Sequence, residues 1–125
     1  MAFFSKITGG GLGPSFWSPV ETEDDLQKAI DESAERKVVL FKHSPRCVIS
    51  KAVLQNFEKE VRHSSAADSY GFWFVDVIAQ RSLSREIADR FSVAHQSPQV
   101  ILLQDGKEVY NASHSSIDYH RVEKA

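Results

Sequence analysis

The chain has 125 residues, of which 42% are hydrophobic, so it can bury one substantial core but is too short for two domains of ordinary size. A net charge of -2 without a block of like charge gives no reason to expect nucleic acid as a partner. The single cysteine excludes an intramolecular disulfide, so thiol chemistry would need the thiol of another molecule. No apolar run approaches membrane length and the N-terminus lacks the long apolar core of a signal peptide, so we expect a cytoplasmic protein with no membrane partner.

Residues 1–15 form a glycine-rich segment that we expect to be flexible, ahead of a single domain over residues 16–125. A phosphate-binding loop would need a strand before the glycines and a Lys-Ser or Lys-Thr pair after them, and the segment has neither. Pro14 follows the last glycine at once, which favours a lead-in without regular structure.

The first elements of the domain are a short edge strand or anchoring arm over residues 16–20 and a helix that begins after Thr22. Pro19 has no N–H to donate and so makes a central strand unfavourable. Thr22 is a residue type that caps helix N-termini. Arg36 and Lys37 carry the charge favoured at a helix C-terminus, so we expect the helix to extend to them.

A strand that leads into an amphipathic helix comes next. Residues 38–41 are an unbroken apolar run, which predicts a strand buried on both faces. Ser44 is the expected N-cap of the helix and Pro45 its expected first residue, where the missing N–H costs nothing. An apolar side chain at every fourth position predicts the buried stripe of this helix, which would consist of Ile49, Val53, Phe57 and Val61.

This boundary would place Cys47 in the first turn of the helix. Unpaired backbone N–H groups and the positive end of the helix dipole favour a thiolate there. Arg46 and His43 would add positive charge nearby, so we expect Cys47 to be a reactive nucleophile. A buried and chemically inert cysteine is the alternative for an unpaired residue of this type.

The second half of the chain continues the alternation of strands and helices. Residues 72–77 are predicted to form a strand, and residues 83–91 a helix capped by Ser82 or Ser84. Since strands that alternate with helices pair in parallel, we expect the central strands to be parallel.

Two strand-like runs then flank Asp105 and Gly106, which is a strong hairpin signal. Residues from Ser116 onward are predicted to form a short terminal helix. The hairpin adds antiparallel strands at one edge of the sheet. The sequence therefore predicts an α/β fold, with a central mixed β-sheet flanked by helices and with a C-terminal β-hairpin and helix.

Five short segments carry a closer resemblance to a known family, namely residues 41–44, 47–50, 84–88, 95–100 and the pair Ser113 and His114. Together they are similar to the YtxJ family of small thioredoxin-fold proteins, also called monothiol bacilliredoxins. The similarity runs over about residues 17–117. Val48 departs from the family pattern, which usually has proline directly after the cysteine.

The resemblance implies a thioredoxin-like fold in which Cys47 is the attacking cysteine and Ser50 takes the place of the resolving cysteine. A serine cannot form a disulfide, but its hydroxyl could hydrogen-bond to the thiolate. The resemblance also implies that Pro98 is a cis-proline opposite Cys47, where the backbone of Ser97 would pair with the extended partner. His95 would then come close enough to the sulfur to act on the leaving thiol. Without the family pattern, a trans Pro98 that starts an edge strand would be favoured.

A metal site is not expected. His43 and Cys47 are only two ligands, and the other histidines lie far away in sequence. Surface or capping roles are more plausible than catalysis for His63, His114 and His120.

Two functions of different classes remain open. The first is a monothiol thiol–disulfide oxidoreductase, in which Cys47 takes a low-molecular-weight thiol from a protein mixed disulfide and a second small thiol regenerates it. The resemblance implies bacillithiol as this co-substrate, while glutathione or coenzyme A fits the residues equally well. No tightly bound cofactor is expected, and the partners would be proteins that carry mixed disulfides.

The second function is a binding role. A thioredoxin-like module could hold an iron–sulfur cluster between two subunits, with one cysteine from each and a small thiol, as some Cys-x-x-Ser glutaredoxins do. The sequence lacks the glycine that usually follows such a cysteine. The colour of protein purified without oxygen would distinguish a brown cluster carrier from a colourless oxidoreductase.

Overall fold

The computed structural model describes residues 15–125. The glycine-rich segment that we expect to be flexible therefore lies, except for Ser15, outside the described residues. The described strands are β1 (Ser18–Pro19), β2 (Val38–His43), β3 (Gly71–Asp76), β4 (Gln99–Gln104) and β5 (Lys107–Ser113). The described helices are α1 (Glu23–Glu32), α2 (Val48–His63), α3 (Arg81–Phe91) and α4 (Tyr119–Lys124), with single 3₁₀ turns at Ala67–Ser69 and His114–Ser116.

The strands form one mixed sheet in the order β1-β3-β2-β4-β5. β1, β3 and β2 are parallel to one another, whereas β4 runs antiparallel to β2 and β5 antiparallel to β4. This confirms the predicted mixed α/β sheet with an antiparallel hairpin at one edge. In the part of the chain that the structure describes, no helix is both long and apolar enough to cross a bilayer.

The central strand β2 divides the core into two halves. All six of its residues are buried. Val39 and Phe41 join the cluster that includes side chains of α2 and α4, while Val38 and Leu40 join the cluster that includes side chains of α1 and α3. Because side chains alternate along a strand, the two polar residues at its end separate: Lys42 lies on the α3 side and His43 on the α2 side.

Helix α1 begins as predicted but ends early. Thr22 is its N-cap and accepts a hydrogen bond from the N–H of Asp25 at 3.0 Å. The helix ends at Glu32, so the prediction that it extends to Arg36 and Lys37 was wrong. Ser33 explains the early end, because its hydroxyl donates a hydrogen bond to the carbonyl of Ile30. The same hydroxyl accepts a hydrogen bond from the N–H of Gly106 at 2.8 Å, which ties the end of α1 to the hairpin.

Helix α2 begins three residues later than the sequence predicted. Its N-cap is Cys47 and its first residue is Val48, so the assignment of Ser44 as N-cap and Pro45 as first helical residue was wrong. The N–H of Cys47 instead bonds to the carbonyl of Ser44 at 3.1 Å, which closes a turn after β2. Pro45 occupies the second position of this turn, where its fixed φ is equally favourable.

One residue of the predicted buried stripe of α2 lies on the surface. Phe57 and Val61 are buried and Val53 packs partly against the core, but the side chain of Ile49 is 63% exposed. Ile49 is the second residue of α2, and Val48 before it is exposed as well.

Helix α3 is capped by neither Ser82 nor Ser84, which the sequence favoured. Its N-cap is Gln80, and Ser84 is buried within the helix. Asp76 explains the earlier start, because its carboxylate accepts hydrogen bonds from the N–H groups of Ile78 and Ala79, at 2.9 and 3.0 Å. This Asx-type turn leads the chain from β3 directly into the helix.

The predicted hairpin is confirmed between β4 and β5. Asp105 and Gly106 have φ angles of 53° and 77°, which is the left-handed pair that a tight two-residue turn requires. The terminal helix α4 is confirmed as well, although it starts at Tyr119, after a 3₁₀ turn and an N-cap at Asp118.

Candidate active site

Cys47 lies at the N-terminal end of α2, immediately beyond the carboxyl end of the central strand β2. It is the N-cap residue and is partly exposed. Its side chain caps no backbone N–H, and the first turn of α2 contains no acidic residue. The cysteine is therefore placed at the positive end of the dipole of a 16-residue helix.

Ser50 anchors the turn that carries Cys47. It is fully buried, and its hydroxyl oxygen accepts a hydrogen bond from the N–H of Ser44 at 3.1 Å. The same oxygen lies 2.8 Å from Nδ1 of His43. A hydrogen bond from the Ser50 hydroxyl to the thiolate stays an expectation, whereas both of the observed contacts hold the loop between β2 and α2.

His43 is a neutral partner for that loop. Burial lowers its pKa from the ordinary value of 6.5, although the carboxylates of Asp76 and Glu58 act in the opposite direction. At neutral pH the imidazole is uncharged, so the expectation that His43 adds positive charge beside Cys47 is corrected. Its buried ring also lies over Phe74, with centroids 5.5 Å apart.

Cys47 is flanked in sequence by one exposed cationic residue and by two exposed apolar residues. Arg46 is exposed in the turn just before it. Val48 and Ile49, just after it, are 79% and 63% exposed, which is more than any other large apolar side chain in residues 15–125. A sequence pattern cannot show this patch, because Ile49 fits the helical repeat as a core residue.

The loop before β4 lies at the same edge of the sheet. The peptide bond between Ser97 and Pro98 is cis, as the resemblance implied. β4 pairs with β2 up to Gln99 opposite Lys42, so Pro98 comes next to the carboxyl end of β2. The carbonyl of Pro98 accepts a hydrogen bond from the N–H of His114 at 3.0 Å, which fixes the loop to the end of β5.

On the α3 side of the sheet, Lys42 joins this loop through His95. Lys42 is fully buried, and burial lowers its pKa to about 8. Its Nζ lies 3.1 Å from Nδ1 of His95, and Oγ of Ser84 lies 3.3 Å from the same nitrogen. The pKa of His95 is lowered by burial and by the positive charges of Lys42 and Arg85.

His95 is a site residue that the sequence predicts, whereas Lys42 is not among the predicted ones. The available signal was a lysine directly after four apolar strand residues, at a position where alternation predicts a buried side chain. His95 also lines a surface cleft of about 400 Å³ between α3 and the loop, together with Arg85 and Asp89.

The other histidines lie at the surface. The ring of His63 donates to the carbonyl of Lys59, and His120 lies 3.8 Å from a carboxylate oxygen of Glu60. Within residues 15–125, no three or more His, Cys, Asp or Glu side chains are grouped so that they could hold a metal ion.

Comparison with solved structures shows a thioredoxin fold. One similar structure, described as "A putative oxidoreductase with a thioredoxin fold", has a TM-score of 0.73 and 26% identity, with 85% of this chain and 89% of that chain covered. Thioredoxin from Malassezia sympodialis has a TM-score of 0.70 and 17% identity, with 98% and 94% covered. Thioredoxin from Fasciola hepatica has a TM-score of 0.63 and 24% identity, with 85% and 92% covered. At these identities the two thioredoxins support the fold alone.

The family model described as "Monothiol bacilliredoxin BrxC" matches residues 18–122, almost all of the described chain. This match confirms the resemblance inferred from the sequence segments around Cys47 and Pro98. Together with the fold and the single partly exposed cysteine, it supports a thiol oxidoreductase. The chain belongs to the monothiol bacilliredoxin family.

Proposed function

We propose that the protein is a monothiol thiol–disulfide oxidoreductase that removes a low-molecular-weight thiol from protein mixed disulfides through Cys47. The observation that carries the proposal is the placement of this cysteine, partly exposed at the N-terminal end of α2. The residue three positions on is the buried Ser50, which supplies no sulfur. A thiol adduct on Cys47 therefore has to be resolved by a second molecule.

The reaction proceeds by two disulfide exchanges. The Cys47 thiolate attacks the small-thiol sulfur of the mixed disulfide, so that a new disulfide forms on Cys47 and the protein sulfur leaves as a thiolate, which takes a proton from solvent. A second small thiolate then attacks the small-thiol sulfur of the adduct. This step releases the oxidised small thiol and restores the Cys47 thiolate, so no electrons are left unaccounted for.

The surface near Cys47 supports a protein as the substrate. Val48 and Ile49 offer exposed apolar contact area, and Arg46 offers a positive charge. The backbone of Ser97, next to Pro98, is proposed to pair with the extended segment that carries the mixed disulfide. The small thiol is proposed to be bacillithiol, which acts as a co-substrate rather than a bound cofactor, and the protein is proposed to work in the cytoplasm.

A direct test uses a model protein that carries a mixed disulfide with bacillithiol, glutathione or coenzyme A. Mass spectrometry should show loss of the small thiol from the model protein and a matching adduct on Cys47, with bacillithiol removed fastest. Cys47→Ser should abolish the transfer, whereas Ser65→Ala, at an exposed serine, should leave it unchanged. Equal removal by the Cys47→Ser protein would contradict the proposal. A brown colour after purification without oxygen would favour the cluster-binding alternative.

A further inference from the structure

The contact between Lys42 and His95 constrains the protonation of the imidazole. An ammonium group has three donors and no acceptor, so Nδ1 of His95 must accept the hydrogen bond at 3.1 Å. A neutral imidazole whose Nδ1 accepts carries its proton on Nε2. Ser84 lies on the same side, with its hydroxyl 3.3 Å from Nδ1.

The charges around this pair also favour the neutral form. A protonated His95 would direct an N–H group at the Lys42 ammonium, and Arg85 of α3 adds a second positive charge. The strand neighbours of Lys42, which are Val75 on β3 and Gln99 on β4, are uncharged. Asp89 of α3 is the acidic residue that lines the cleft beside His95. Within the described part of the chain, no carboxylate forms an ion pair with Lys42.

We propose that Lys42 is a positioning residue that holds His95 as the neutral, Nε2-protonated tautomer, so that the loop before Pro98 presents an N–H donor to the sulfur that leaves during disulfide exchange. His95 is exposed and lies two residues before Ser97, in the loop that reaches the carboxyl end of β2. The use of the donor on a leaving sulfur rests on the proposed function, whereas the fixed tautomer does not.

The fixed tautomer of His95 should be lost at alkaline pH. Once Lys42 loses its proton, near pH 8, its amine can accept a hydrogen bond as well as donate one. The Nδ1-protonated tautomer of His95 then becomes accessible, and the N–H donor on Nε2 is no longer fixed.

The tautomer can be measured by long-range proton–nitrogen NMR on the full chain labelled with ¹⁵N-histidine, with the His95 signals assigned by their loss in His95→Asn. We expect the Nε2-protonated form at pH 7 and a change in its nitrogen shifts near pH 8. In Lys42→Met the His95 pKa should rise, because a neighbouring positive charge is removed, and both tautomers should appear. Lys42→Arg should preserve the tautomer, since a guanidinium also only donates, and Lys107→Met, at an exposed hairpin lysine, should change nothing.

An Nδ1-protonated His95 at pH 7, or tautomer populations unchanged in Lys42→Met, would overturn the positioning role. The titration of the unmodified protein tests the same point if Lys42→Met fails to fold. Turnover is the second readout: Lys42→Met and His95→Asn should each slow mixed-disulfide removal, without additive effect when combined, while the alkylation of Cys47 is unchanged. A fixed tautomer with unaffected turnover in His95→Asn would overturn the donor role alone.

Discussion

The hydroxyl of Ser50, which is three residues beyond Cys47, lies 2.8 Å from Nδ1 of His43. Ser50, which has no sulfur for a resolving step, is thus a structural link between β2 and α2. The two effects can be separated by two different substitutions.

Replacing Ser50 with Cys should restore the resolving step. Protein treated with an oxidised small thiol should hold a stable adduct on Cys47, whereas in Ser50→Cys the new thiol should displace it and leave an internal disulfide. Mass spectrometry with and without a reductant distinguishes the two products. Ser65→Cys, at an exposed loop position, is the control and should not shorten the life of the Cys47 adduct. Persistence of the adduct in Ser50→Cys would show that residue 50 does not occupy the resolving position.

Replacing Ser50 with Ala should lower the free energy of unfolding. The substitution leaves the N–H of Ser44 and the ring of the buried His43 without their shared partner, which costs about 1–3 kcal/mol. Urea denaturation at pH 7 measures the loss. Ser82→Ala, at an exposed position of α3, should change stability by less than about 0.5 kcal/mol. A loss no larger than this control would mean that the two hydrogen bonds contribute little.

Replacing Lys42 with Met should stabilise the protein at pH 7 and remove a pH dependence. The folded state lowers the pKa of Lys42 from 10.5 to about 8, so between these values the unfolded chain binds more protons. The free energy of unfolding should therefore rise as pH increases through this interval. Relief from the buried charge contributes up to about 3 kcal/mol at pH 7, and the lost hydrogen bond to His95 offsets about 1 kcal/mol.

Urea denaturation between pH 7 and pH 10 checks this expectation, with Lys107→Met as the matched exposed control. The difference between the unmodified protein and Lys42→Met isolates the titration of this lysine from that of the tyrosines. A constant difference across the whole interval would show that Lys42 titrates normally in the folded protein.

Replacing both Val48 and Ile49 with Ser should weaken the reaction with protein substrates. The two side chains are mostly exposed, so stability should change by less than about 0.5 kcal/mol per residue. We expect KM for a protein mixed disulfide to rise about tenfold, which corresponds to ~1.4 kcal/mol. Alkylation of Cys47 by a small reagent should be unchanged. Val109→Ser removes an exposed apolar side chain on β5 and should leave KM unaltered, so an equal effect there would argue against a docking surface at α2.

The fold could be predicted from local signals, but the site only in part. The buried run of β2, the Thr22 cap and the turn at Asp105 and Gly106 depend on residues close together in sequence, and the structure confirms them. Helix α2 starts at Val48, after a turn that closes between Ser44 and Cys47. A Ser-Pro pair fits the start of a helix and the start of a turn equally well, so the sequence could not distinguish the two.

The sequence pattern predicts that the side chain of Lys42 is buried but does not identify its partner. Its partner His95 is 53 positions away, and the two meet only because β4 pairs with β2 in the observed register. By contrast, the cis bond between Ser97 and Pro98 could be predicted from the family resemblance, because the motifs that carry it include these residues.

The division of the core by β2 also separates the two tryptophans of the chain. The indole of Trp17 donates to Glu58 of α2 at 2.7 Å and stacks on Phe57, whereas the indole of Trp73 donates to Glu32 of α1 at 2.8 Å. Fluorescence from a Trp73→Phe protein would therefore report on the half of the core beneath the Cys47 helix, and fluorescence from Trp17→Phe on the opposite half. The fluorescence of these two single-tryptophan proteins would thus show whether a thiol adduct on Cys47 changes the packing on one face of the sheet and not on the other.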